Sequence, residues 1–237
     1  MFLPYFIGLL EGDGSIQVNQ WKQRILQFRI VIKLKQTPLN YALCATIKQH
    51  IGFLNLHVRH GYVLLIQDDQ KKLHKLIKLL DTYPFLTQKM HLDYTFFKYC
   101  LFTKPSHSEF SFLKENKQLV PGYTPQQWNP QTMQTNKWVH WWMVGFIEAE
   151  GCFCVRSNNT LSFSVGQKND SHLIEFVKHF FKMPNKIQHR QTTNMYVIEG
   201  SKRSMLKTVI CFFQTHPFLG EKKHSFEKFT HVFFTPK

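Results

Sequence analysis

The segment Phe6-Ile7-Gly8-Leu9-Leu10-Glu11-Gly12-Asp13-Gly14 returns later in the chain as Met143-Val144-Gly145-Phe146-Ile147-Glu148-Ala149-Glu150-Gly151. Each copy is an apolar helical run with an internal glycine, closing on an acid and then a glycine. A second segment repeats in the same order. Tyr83-Pro84-Phe85-Leu86-Thr87-Gln88-Lys89-Met90-His91 is echoed by His216-Pro217-Phe218-Leu219-Gly220-Glu221-Lys222-Lys223-His224, and the same register sets Lys35 against Lys168, Leu73 against Leu206 and Ile77 against Ile210. Between the motif and those lysines the first half has a slightly longer hairpin. Several matches in one order make this a tandem duplication, which constrains the fold more than any local propensity does. Two similar halves, each with its own acidic tip, suit a two-centred reaction on a two-sided substrate.

The halves are expected at residues 1–102 and 138–237, joined by a linker at 103–137. The linker carries Pro105, Pro121, Pro125 and Pro130 among Gln, Asn and Thr. Prolines at that density predict extended or turning backbone. Phe110, Phe112, Leu113 and Trp128 are its expected anchors on the halves.

Within each half the hydrophobic period changes from helix to strand and back. After Gly14, Ile16 and Val18 share one face while Ser15, Gln17 and Asn19 share the other. Leu26, Phe28, Ile30, Ile32 and Leu34 then alternate with Gln27, Arg29, Val31, Lys33 and Lys35, as in a half-buried strand with a basic open face. Leu56 to Leu64 reads as a hairpin turning near Gly61. In the second half Phe153 and Val155 point inward, opposite Cys152, Cys154 and Arg156, and Leu161, Phe163 and Val165 alternate with Ser162, Ser164 and Gly166. Helices are expected at Leu39–Ile51, Gln70–Asp81, Leu92–Phe102, Ser171–Lys182, Ser201–Gln214 and His224–Phe234. The predicted class is α+β: two pseudo-symmetric α-β-β-α-β-β-α-α halves, each a curved antiparallel sheet backed by helices.

The other face of each sheet is left open, and it is polar and basic. Lys and Arg number 30 against 15 Asp and Glu, for a formal charge of +15. With no long apolar span, that excess points to a nucleic-acid partner before a membrane. Long hydrogen-bonding side chains on a twisted face suit base edges in a major groove. Alternation selects Ser15, Gln17, Asn19, Gln27, Arg29, Lys33, His57 and Arg59 in the first half. In the second it selects Cys154, Arg156, Ser162, Ser164, Gln188 and Arg190. The five cysteines (44, 100, 152, 154, 211) form no CxxC or zinc spacing. They read as buried thiols of a reducing compartment. A motif helix beginning almost at Met1 is expected to leave no room for an amino-terminal transit sequence.

The two nine-residue segments resemble the LAGLIDADG motif of homing endonucleases in its single-chain, double-motif form. The likeness extends to the two α/β halves, the linker and the basic sheet faces. Gly8 and Gly145 remove side chains where two helices must approach closely, so the motif helices are expected to pair at the interface between halves. Asp13 and Glu150 then fall at helix C-termini, beside carbonyls without intrahelical partners and in partial negative charge, where a cation compensates them. Oxygen ligands of this kind suit Mg²⁺, or another divalent ion such as Mn²⁺. Glu11 and Glu148, two positions earlier, lie on the other side of their helices and are expected to be structural.

The resemblance implies metal-dependent hydrolysis of one phosphodiester on each strand of double-stranded DNA by a monomer. Asp13 and Glu150, with the carbonyls of Gly12 and Ala149, would hold the ions. Lys35 and Lys168, in places where the family uses lysine to activate water or neutralise phosphate, are the other catalytic candidates, with simple phosphate contact as an equal alternative. Lys89, Lys222, His91 and His224 read first as structural, at a helix start packed under the sheet, with backbone phosphate contact as the alternative, and fall outside the catalytic set. Asp13 differs from Glu150 and Gly12 from Ala149, so the centres are expected to be unequal, one strand being nicked sooner at a non-palindromic site. The same scaffold can also serve an RNA maturase for its own intron, or a DNA-binding regulator without cleavage. An origin in a mobile intron of an organelle genome, mitochondrial or chloroplast, follows from the resemblance alone.

Overall fold

The computed structural model describes residues 2–22, 24–125, 133 and 135–235. The first half runs α1 (Phe2–Asp13), β1 (Gly14–Trp21), β2 (Ile25–Lys35), α2 (Pro38–Ile51), β3 (Asn55–Arg59), β4 (Tyr62–Gln67), α3 (Gln70–Leu80) and α4 (Gln88–Thr103). After a short helix, α5 (His107–Glu115), the same order returns. The second half has α6 (Lys137–Glu150), β5 (Gly151–Val155), β6 (Leu161–Lys168), α7 (Ser171–Phe180), β7 (Gln188–Arg190), β8 (Met195–Gly200), α8 (Arg203–Thr215) and α9 (Lys222–Phe234). Both sheets are antiparallel, in the orders β1-β2-β4-β3 and β5-β6-β8-β7. The predicted α+β class and its order of elements in each half are found.

Side-chain caps set several boundaries. Thr37, Asp69, Thr87 and Asp170 each accept from the backbone N–H three residues on, at 3.2, 2.8, 3.3 and 3.2 Å. Such a cap satisfies one donor that a helix start leaves unpaired. Thr87 therefore starts α4 at Gln88, earlier than the Leu92 read from apolar periodicity. Between β3 and β4, His60 and Gly61 both take positive φ (51° and 76°), the backbone a tight two-residue hairpin requires.

Helices cover one face of each sheet. Phe28, Ile30, Ile32 and Leu34 of β2 are buried there, as are Phe153 of β5 and Phe163 and Val165 of β6. In the second half the Phe153 ring lies 5.1–5.7 Å from those of Phe163, Phe213, Phe218, Phe226 and Phe229. Phe218 belongs to the repeated Pro-Phe-Leu segment. Its counterpart Phe85 is buried against Tyr94, with ring centroids 4.7 Å apart.

Three sequence expectations are corrected. The linker is not only extended or turning backbone, because α5 forms between Pro105 and Pro121, with Ser106 capping Glu109 N–H at 3.3 Å. Phe110 and Leu113 are buried as anchors, but Phe112, on the other side of that helix, is 54% exposed; Trp128 lies outside the described residues. Among the cysteines, Cys44 and Cys100 are buried, whereas Cys152, on an open sheet face, and Cys211, on the outer side of α8, are exposed.

Candidate active site and nucleic-acid interface

The two motif helices pack against each other through their glycines. A Cβ on Gly8 would fall 2.1 Å from the carbonyl oxygen of Trp142, and one on Gly145 would fall 2.0 Å from that of Tyr5. Backbone meets backbone, so only glycine fits at either position. Around the crossing Leu9, Leu10, Phe146 and Ile147 are fully buried.

Glu11 and Glu148 tie this crossing to the second repeated segment. Glu11 accepts from the backbone N–H groups of Leu86 (3.0 Å) and Thr87 (2.5 Å), and from the indole N–H of Trp142 on the opposite helix (2.7 Å). Glu148 mirrors it, accepting from the N–H groups of Gly220 (3.2 Å) and Lys222 (2.9 Å) and from the hydroxyl of Tyr5 (3.0 Å). Tyr5 and Trp142 each stand three residues before their helix's glycine. Both glutamates are buried, at 4% and 8% exposure, and burial raises both carboxyl pKa values, Glu11 to about 7. Their hydrogen bonds all go to the scaffold, as a structural role requires.

One turn beyond the crossing, the acidic tips come together. A Cβ on Gly12 would lie 2.3 Å from Cβ of Ala149 and 3.3 Å from Cγ of Glu150, so the two helix ends are in contact. Burial, then the negative charge of Asp13, pushes Glu150 up to about 7, while Lys222 opposes both. Partial burial also raises Asp13, again against the pull of Lys222. The two carboxylates therefore crowd each other in a partly dehydrated place, a donor set that favours a cation.

Lys222 departs from the sequence reading, which made it structural. Its ammonium donates to the carbonyl of Gly151 at 2.5 Å and its charge acts on both tip acids. The matched Lys89 instead binds Asp93, four residues on, at 3.0 Å. The residue matching Asp93 is Phe226, so Lys222 has no helical partner to hold it away. That difference was visible in the sequence as an i,i+4 pair present in one copy and missing in the other. A recess of about 320 Å³ beside the tips is lined by Asp13, Lys35, Asn40, Ala149 and Lys222 among others, so Lys35 is brought to this centre. Lys168 is exposed on its own sheet, opposite Met195. Gly12 and Ala149 carry the carbonyls next to the tip acids. Among the described residues no group of three or more His, Cys, Asp or Glu side chains could hold a metal ion.

Strand register places the remaining candidates. Ser15, Gln17 and Asn19 pair across from Val31, Arg29 and Gln27, and Lys33 and Lys35 pair with Leu64 and Tyr62, so these side chains share the open face of the first sheet. His57 and Arg59 pair with Leu64 and Tyr62 from the other side. On the second sheet Cys154 opposes Ser162 and Cys152 opposes Ser164, while Gln188 and Arg190 are exposed on β7. One choice fails: Ser162 is only 3% exposed. The Arg156–Glu199 ion pair, 3.2 Å long, runs from beyond β5 to β8 and so crosses the strand between them, over Ser162. With Val31, which alternation did put on the open face, Tyr62, Leu64 and Ile66 form an apolar stripe there that alternation missed. In Tyr62–Gln67 both faces are largely apolar, which hides the period of two.

The chain matches the family described as LAGLIDADG endonuclease over residues 6–101 and 143–233. It is 34% identical over 240 residues to the probable intron-encoded endonuclease aI3 of Dictyostelium citrinum, covering 97% of this chain and 94% of that protein. A probable intron-encoded endonuclease aI3 of Debaryomyces hansenii is 28% identical, but the match spans only 37% of its length. Among solved structures the fold is similar to the LAGLIDADG meganuclease I-CpaMI bound to uncleaved DNA, with a TM-score of 0.76 at 18% identity over 97% of this chain and 90% of that one. It is also similar to I-SmaMI bound to uncleaved DNA in the presence of calcium ions, with a TM-score of 0.74 at 15% identity over 98% and 90% of the two chains.

Proposed function

Because the chain belongs to the LAGLIDADG endonuclease family, we propose that it is a homing endonuclease that cuts both strands of a long, non-palindromic DNA site. The observation that carries this reading is the meeting of Asp13 and Glu150 at the ends of two paired helices, with an open basic sheet face on either side. One chain supplies both centres and both faces, so it acts as a monomer.

The donor set fits a divalent ion. Asp13 and Glu150, with the carbonyls of Gly12 and Ala149, offer only oxygen, and too few protein ligands to complete a shell. That incompleteness suits Mg²⁺ or Mn²⁺, which takes its remaining ligands from phosphate and water. Bound there, the ion would polarise the scissile phosphate and make water a competent nucleophile.

This chain's own groups do the rest. The glycine crossing fixes the separation of the carboxylates, and Glu11 and Glu148 hold the helices against rotation. Lys222 opposes the rise that burial imposes on both acids, favouring their ionised forms, and offers positive charge beside the phosphate. Lys35 in the recess by Asp13 is placed to neutralise phosphate or orient water, and Lys168 does so on the other strand. Only one of the repeat's two Pro-Phe-Leu lysines reaches the tips, so the centres are unequal and one strand is nicked before the other. The intron-encoded relatives support an origin in a mobile intron, and an organelle genome is the source proposed for it.

The test is cleavage of a pooled library of candidate duplex sites with Mg²⁺ or with EDTA. Metal-dependent double-strand breaks at one enriched site support the reading. Tight binding of intron RNA or DNA without any cutting sinks it and favours a maturase or a regulator.

A further inference from the structure

Among the described residues, two carboxylates stand on the open sheet faces away from the acidic tips, and each is held by an arginine. Asp68, directly after β4, continues the ladder that pairs Val31 with Ile66 and so falls opposite Arg29; their Oδ2 and Nη2 are 3.3 Å apart. Glu199 of β8 pairs with Ser164 and binds Arg156 at 3.2 Å. All four side chains are between 41% and 56% exposed. Ion pairs so open to water contribute little to folding, so the fold gives no reason to keep them. On a surface that meets phosphates, an unneeded carboxylate repels the ligand.

The two pairs are not copies of one another. In the repeat's register Arg29 matches Ser162 and Glu199 matches Ile66. Each half has arrived at one arginine–carboxylate pair with different residues. The other arginines on these strands, Arg59 and Arg190, have no carboxylate partner among the described residues.

A guanidinium presents a planar fork of donors that matches O6 and N7 of guanine, and a carboxylate accepts from N4 of cytosine. In each pair the carboxylate engages one terminal nitrogen of the arginine, fixing the plane of the fork and leaving its other N–H groups free. Its second oxygen remains open to an amino group. The two partners of one side-chain pair thus offer what the two bases of one G·C pair require. We infer that Arg29 with Asp68, and Arg156 with Glu199, each read a G·C base pair, one in each half of the target site. Arg59 and Arg190, unheld, contact phosphate.

The inference rests on the proposed recognition of DNA by both sheets. Its test is selection of bound duplexes from a randomised pool by the full chain in EDTA, where no cutting occurs, followed by sequencing. The wild type should enrich a consensus with a guanine in each half. Arg156→Lys keeps the charge but loses the fork, so the guanine preference in one half should fall about tenfold while other positions stand. Glu199→Gln should relax the same position while preferences elsewhere in the site stand, and Arg29→Lys and Asp68→Asn should act likewise in the other half. Arg190→Ala should instead weaken binding to all sequences and flatten its salt dependence. A wild type that enriches no consensus overturns both the recognition reading and this inference. A consensus unchanged by all four substitutions, or relaxed everywhere alike, overturns this inference alone.

Discussion

The strictest residues in the molecule are two glycines and one lysine. Gly8 and Gly145 each face a carbonyl oxygen of the other helix, at 2.1 and 2.0 Å from where a Cβ would sit. Neither carbonyl can yield without moving its helix. Gly8→Ala is therefore expected to destabilise by about 3 kcal/mol, the upper part of the usual range for overpacking, and chemical denaturation would measure it. A loss below about 1 kcal/mol would mean the helices part more easily than their backbone contact implies. Lys222 is the residue whose charge acts on both tip acids, which the sequence reading does not anticipate. Lys222→Met should slow cleavage by about 10²- to 10³-fold, the size of losing one fixed charge or donor from a dry site. Lys89→Met, which removes only the surface pair with Asp93, should leave the rate within about twofold, and single-turnover kinetics of both variants would decide. The Asp93-for-Phe226 difference made this contrast legible in principle, but the matched Pro-Phe-Leu context drew attention to what the two lysines share.

At the scale of elements, the two halves are sewn together by paired contacts that the repeat only partly reveals. Gln88 N–H, at the start of α4, donates to Asp170 of the other half at 2.7 Å, and its counterpart Glu221 N–H donates to Asn40 at 3.0 Å. Asp170 also caps α7 through Leu173 N–H. Asp170→Ala should thus cost about 2 kcal/mol, from a lost cap and the lost contact between the halves at Gln88. Asp170→Asn should retain most of that, and urea melts of the two would separate cap from charge. Strands and helices with a clean period, such as Leu26–Lys35 and Gln70–Leu80, were legible because one face is apolar and the other is not. The helix start near Gln88 was legible only from the repeated Pro-Phe-Leu context and not from the apolar period, since Thr87's cap lies outside that pattern. Nor could Asp170 and Asn40 be matched from sequence, because different residues at different positions meet equivalent donors.

The whole molecule has two sides: open sheet faces, proposed for DNA, and helices behind. The cysteines report on that division. Burial pushes the thiols of Cys44 and Cys100 up to about 12. At pH 8 both therefore stay protonated, and since the thiolate is the reactive form they should resist alkylation until the chain unfolds. Cys152 and Cys211 are exposed and should react. Bound DNA should protect Cys152, on the sheet face, and not Cys211, behind it. Mass spectrometry of alkylated peptides would show this, and protection of Cys211 alone would put the ligand on the wrong side. The duplication, the paired helices and the two open faces were all legible because repetition and alternation survive divergence. The ion pair over Ser162 was hidden because it depends on cross-strand register, and the apolar stripe of β4 because both faces of that strand are largely apolar. Asp13 and Glu150 are proposed to form two centres, one for each strand. Strand-resolved cleavage of the identified site by Asp13→Asn and Glu150→Gln tests it most directly. Each variant should lose double-strand cutting, leaving at most nicking of a single strand. Double-strand breaks persisting at the wild-type rate in either variant would contradict it.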